Sequence, residues 1–234
     1  MCVWRTQRRE RLTLVGASPL SALKLFNRGP ALRSIALLQR VSSAGDSSRT
    51  ACAVHRMQVT QWSTTERGRY SSVSSFISLP GVAAGPRIIA QLGNLCTLQL
   101  GIVSGFLSSL LLSQAKAGRD FYRAQLAGAM MMSGPGGGTA LSALTMVAGE
   151  SAGLARGELQ GALASLRTVV QVVGPLLWAR MLAYGVRRGS PGRLYLVLAL
   201  FQLVELLMCR LLVAPHYAAG TPRSSSALRR RKTA

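Results

Sequence analysis

The sequence predicts an all-α, multi-pass membrane helix bundle with about four transmembrane helices, and three observations carry that expectation. Ile88–Leu112 runs 25 residues without a formal charge and Ala124–Gly149 runs 26. Each exceeds the roughly 20 residues an α-helix needs to cross a ~30 Å hydrocarbon layer. Two further apolar stretches, Leu159–Val186 and Leu194–Ala214, follow at similar length.

The first two stretches contain no charged side chain, so nothing in them opposes insertion. The third is interrupted by Arg167 and Arg180, and the fourth by Glu205 and Arg210. Charges near helix ends can snorkel to the interface, whereas a charge well inside a span is costly unless it faces protein or a polar path. Glu205 lies midway along the fourth stretch and Arg167 about two turns into the third. We read them as a candidate substrate or proton path, Glu205 as the titrating group and Arg167 as its partner; pairing for packing alone is the alternative.

The formal net charge is +21. Residues 1–76 carry 12 Lys/Arg against 3 Asp/Glu, 77–214 carry 11 against 4, and 215–234 carry 5 against none, so the basic excess is densest in the flanks. Neither flank shows a basic face or aromatic-studded groove suited to nucleic acid, so no nucleic-acid partner is expected. The tail Arg229-Arg230-Arg231-Lys232 suits a solvated run beside an anionic lipid surface.

Residues 1–76 are rich in Ser, Arg and Thr, with Glu10, Asp46 and Glu66 their only acids. We expect them to be a disordered basic leader, with the composition of a transit segment for an organelle membrane such as that of a mitochondrion or plastid. Leu20–Leu38 can be drawn as a basic amphipathic helix, broken by Gly29-Pro30. Residues 215–234 are expected to be a disordered basic tail.

No catalytic chemistry is indicated. Cys2, Cys52, Cys96 and Cys209 have no metal-ligand spacing, His55 and His216 are isolated, and no phosphate-cradling Gly-rich loop or nucleophile–base set occurs. The expectation is a protein that is not an enzyme, with no metal and no cofactor.

Gly157-Glu158-Leu159-Gln160-Gly161-Ala162-Leu163-Ala164-Ser165-Leu166, followed by Val172-Val173-Gly174-Pro175-Leu176-Leu177, resembles the next-to-last helix of a major facilitator superfamily transporter of the tetracycline-resistance drug/proton antiporter type. Gly157, Gln160, Gly161, Gly174 and Pro175 are the residues that match the family motif, and their implied role is structural. Gly85-Pro86-Arg87, with Leu92-Gly93, resembles the approach to the ninth helix, although Asn94-Leu95-Cys96 stands where charged residues are usual. Ser133-Gly134-Pro135-Gly136-Gly137-Gly138 resembles the Gly-rich tenth helix, where close contacts and a kink would serve a rocking bundle. The motif matches neither Glu205 nor Arg167.

The resemblance covers roughly residues 83–214, the last four of that family's usual twelve helices. It implies export of a small organic molecule, of unidentified structure, by a chain that is incomplete alone and is completed by a second membrane chain or a homodimer. The rival expectation is a non-transporting subunit or assembly factor of an organelle membrane. Charge divides the topology: the basic flanks favour the family orientation, which puts both termini and the Glu150–Glu158 loop in the cytoplasm, whereas Ser113–Arg123 and Arg187–Arg193 are basic on the other side; the family orientation is the expectation.

Overall fold

The computed structural model describes residues 29–130 and 136–218, and among them every regular element is helical. In order these are α1 (Pro30–Asp46), α2 (Arg49–Thr60), α3 (Thr64–Ser113), α4 (Gly118–Met130), α5 (Gly136–Ser151), α6 (Arg156–Arg187) and α7 (Arg193–Met208). A single π-helical turn, Cys209–Val213, then leads into α8 (Ala214–Ala218). Among the described residues three helical runs are long and apolar enough to cross a membrane: α3, α6 and Arg193–Tyr217.

The segment expected to be a disordered leader is helical from Pro30 onward and contributes to the core. Gly29-Pro30, which the sequence suggests as a helix breaker, is the helix start: Pro30 occupies the first turn of α1, where its missing N–H costs nothing. Leu32, Ile35 and Leu38, spaced for one face, are buried among Leu98, Leu141, Leu144, Leu159 and Leu163. Ordering the segment is offset by apolar area that neighbouring helices supply, and the segment's own composition does not reveal it. Residues 1–28 lie outside the described residues. Of the expected tail, 215–218 are helical and 219–234 lie outside.

The expected first crossing differs in its start. α3 is interrupted at Gly93 (φ 79°, ψ 164°), a backbone conformation open essentially to glycine. Tyr70 and Leu112 fall in one side-chain cluster, although a straight helix would hold them roughly 63 Å apart. The two limbs, 64–92 and 94–113, therefore fold back on each other at Gly93. Ser63 starts the first limb with a capping box: its hydroxyl accepts from the Glu66 N–H and its own N–H donates to the Glu66 carboxylate.

The expected second crossing is built from two helices. Ser108 Oγ donates to the Ala124 carbonyl oxygen and Ser104 Oγ to that of Gly128 at 2.9 Å, which sets α4 antiparallel to the 94–113 limb. Gly101 then faces Gly137, so α5 continues along the same limb. Residues 131–135, including the Gly134-Pro135 expected to introduce a kink, lie outside the described residues. The third and fourth expected crossings correspond to α6 and to the run from α7 through α8.

α1 packs on α5, α6, α7 and the π-helical turn, so it is the central strut of the bundle. Its last turns are lined with small residues, which let the neighbours approach closely. Gly45 leaves room for the Leu198 side chain, and Gly174 of α6 lies directly against Ser47. At this end of the molecule the basic loops gather: Gly192, before α7, abuts the Ser113 carbonyl at the end of α3, and Gly118 fits under the Trp62 ring.

Candidate functional site

A cavity of about 400 Å³ lies between α1–α2, both α3 limbs, α4 and α7. The face of α7 that lines it carries Tyr195, Leu198, Gln202 and Glu205, a rise of roughly 15 Å along the helix. Opposite stand Ser42, Asp46, Arg49, Cys52 and Arg56, with Tyr70, Leu112 and Gln125 completing the wall. The cavity therefore runs from the basic end of the bundle inward to Glu205.

Glu205 is 9 % exposed, with the Ser42 hydroxyl beside its carboxyl group. Among the described residues no cation forms an ion pair with it. One turn nearer the mouth, Gln202 Oε1 accepts a 2.9 Å hydrogen bond from Ser109 Oγ, which fixes the amide against the second α3 limb; Gly105 leaves space for it. At the rim Asp46 and Arg49 form an exposed pair at 2.8 Å. Polar groups thus line a cavity within an otherwise apolar part of the bundle.

Cys52 Sγ lies 3.8 Å from Ser48 Oγ and the Cys52 carbonyl oxygen accepts from Tyr195. Burial pushes the Cys52 thiol up, against smaller opposing effects of Ser48 and Arg56. It is held as a thiol, and nothing here activates it as a nucleophile. No group of three His, Cys, Asp or Glu among the described residues is placed to hold a metal ion.

The two residues picked from the sequence as a path are not together. Glu205 lines the cavity, whereas Arg167 is exposed on α6, beside the buried Leu163 and Leu166. The family-motif residues also separate. Gly157, Gln160 and Gly161 are exposed, and a Cβ at either glycine would meet nothing within 4 Å. Gly174 is buried against Ser47, and Pro175 follows it inside the helix. The α1–α2 side of the cavity was not anticipated. Its signals were Pro30 as a helix start, the Leu32/Ile35/Leu38 spacing and the small-residue run from Ser42 to Ser48.

None of the known family models, curated proteins or solved structures compared with this chain matches it.

Proposed function

We propose that this chain is a multi-pass helical membrane protein of major facilitator type, whose part in proton-linked movement of a small organic molecule is played in the cavity that ends at Glu205. Three helical runs of membrane-crossing length support insertion. The observation that carries the transport reading is Glu205 itself: a buried carboxyl group on an apolar helix, facing a polar cavity. Ionisable groups in that setting mark proton or substrate paths. The cavity volume of about 400 Å³ suits a small molecule. Arg167 has no place in this reading. A complete path needs further helices, and the exposed Val169, Val172, Val173, Leu176 and Leu177 of α6 offer an apolar face for lipid, a second chain or a second copy.

One observation favours the rival, a non-transporting membrane subunit. Past Glu205 the next residues on that face, Cys209 and Val213, are buried with Leu32, Ile35 and Leu38 in an apolar cluster, so the polar lining ends there.

Proton release separates the two. In weakly buffered detergent solution, a panel of tetracycline-like and other lipophilic organic compounds should include one that displaces a proton from the wild-type chain and none from Glu205→Gln. Absence of any releasing compound, or release unchanged by the substitution, would reject the transport reading.

A further inference from the structure

A second cavity, about 270 Å³, opens between α2 and the first limb of α3. Among the described residues its lining has no carboxylate. It presents two guanidinium groups, Arg56 and Arg67, with the hydroxyls of Ser71 and Ser74, against a wall formed by Trp62 and Tyr70. Both arginines are oriented before any ligand arrives. Arg67 Nε donates to the Trp62 carbonyl oxygen at 3.0 Å, leaving its terminal amino groups uncommitted, and Arg56 Cζ sits 5.0 Å from the centroid of the Tyr70 ring.

Neither arginine has an ion-pair partner among the described residues. The adjacent carboxylate, Glu66, is engaged by the Ser63 N–H at 2.8 Å and the Ser63 hydroxyl at 2.9 Å. No carboxylate among the described residues is therefore paired with either guanidinium group. Its aromatic wall belongs to a larger group in which the Trp62 ring packs at a tilt against Tyr70 (5.2 Å) and Tyr122 (5.7 Å), at the end of the bundle where the basic loops gather. Aromatic and arginine side chains in this combination suit the headgroup level of a bilayer.

We propose that this cavity is a phosphate-binding site, in which the two guanidinium forks hold the phosphate oxygens and the serines complete the contacts. An anionic phospholipid headgroup or a small soluble phosphate could supply the group. The lipid source rests on the membrane reading above, and the site itself does not.

The test uses the full chain purified in an uncharged detergent, with retained lipid read by native mass spectrometry against phosphatidylglycerol and phosphatidylcholine, and labelled inorganic phosphate read by equilibrium dialysis. The wild type should retain phosphatidylglycerol in preference, and Arg56→Gln/Arg67→Gln should weaken that retention about tenfold. Arg119→Gln/Arg123→Gln, which removes charge at the same end but outside the cavity, should leave it unchanged. Saturable phosphate binding lost in the Arg56/Arg67 variant, without a lipid preference, supports the site and assigns a soluble source. Equal binding of both ligands by wild type and that variant overturns the proposal, as does an equal loss in the Arg119/Arg123 variant. Thermal unfolding of each variant, with Arg56→Lys/Arg67→Lys as the charge-keeping control, separates lost binding from lost fold. Phosphate binding by a chain that leaves membranes in carbonate would sink the membrane reading and keep this one.

Discussion

Trp178 of α6 donates its indole N–H to the Ala44 carbonyl oxygen at 2.9 Å, with Ser47 Oγ at 3.1 Å, and so fastens the end of the central helix α1 to a helix 134 residues away. The ring is buried against Ala51, Leu182 and Leu194. Ser47 in turn lies in contact with Gly174, so one short stretch of α6 meets α1 through an indole and a missing side chain.

Trp178→Phe keeps most of the apolar surface and removes the donor, and should cost about 1 kcal/mol. Gly174→Val has no space beside Ser47 and should cost about 1–3 kcal/mol through overpacking. Thermal unfolding in detergent measures both. Wild-type stability in the pair would mean that α1 is not seated on α6.

How much of this was legible in the sequence depends on where each element finds its apolar partners. α6 and α7 announce themselves, because a long apolar run is visible without knowing its neighbours. α1 does not. Averaged with the arginines and serines around it, its burial of Leu32, Ile35 and Leu38 disappears into a basic, Ser-rich composition, and only tertiary packing reveals it. The division of the expected second crossing into α4 and α5 is not legible in a run without charge, and the kink expected at Gly134-Pro135 lies outside the described residues. Glu205 could be picked as the acid inside an apolar run, whereas Arg167 could not be placed, because a run apolar nearly all round gives no sign of which face is buried. The Leu32/Ile35/Leu38 spacing signals a buried face for α1, but that α1 and α2 wall the cavity depends on how the central helix is inserted.

His55 should make stability depend on pH. It is 1 % exposed, its ring edge-on to Tyr195 with centroids 5.1 Å apart, and its Nδ1 has no hydrogen-bond partner among the described residues. Burial, and then the Arg56 cation, hold its pKa below the ordinary 6.5. The folded state thus binds fewer protons than the unfolded chain, so the stability it contributes is present above pH 6.5 and is lost as pH falls through the lower folded value. The unfolding temperature of the wild type should drop between pH 7.5 and 5 more steeply than that of His55→Phe. Parallel curves would remove the histidine from the account.

Membrane residence and orientation can be read together. The protein should stay with membranes in alkaline carbonate and leave only in detergent, because α3, α6 and Arg193–Tyr217 each carry a membrane-length apolar window. The Lys116–Arg123 and Arg187–Arg193 loops lie at one end, and the positive-inside rule makes the cytoplasmic side the expected location of that end. A cysteine introduced at Lys116 should resist an impermeant thiol reagent in sealed right-side-out vesicles, while one at Gly153, on the turn between α5 and α6, should react. Cys2, Cys52, Cys96 and Cys209 are replaced by Ser or Ala beforehand. Recovery in the carbonate supernatant would reject membrane residence, and the reverse labelling pattern would favour the orientation that the transporter resemblance implies.

Gly93 and Gly161 offer opposite outcomes from one substitution. At Gly93 a methyl group would meet no atom within 4 Å, so sterics with neighbours are irrelevant; the obstacle is the backbone, held at φ 79° and ψ 164° where the two α3 limbs turn back. Thr97 Oγ1 donates to the Gly93 carbonyl oxygen at 2.8 Å and helps set that geometry. Gly93→Ala should therefore cost about 1–3 kcal/mol. At Gly161 the surroundings are equally open, but α6 is regular there. Alanine relieves the entropic cost of glycine in a helix, so Gly161→Ala should gain roughly 0.5–1 kcal/mol. Chemical or thermal unfolding of the two variants side by side decides the matter: a Gly93→Ala variant as stable as wild type would mean that α3 does not reverse at this residue. A destabilised Gly161→Ala would mean that the motif glycine packs against a helix contributed by a second chain or copy.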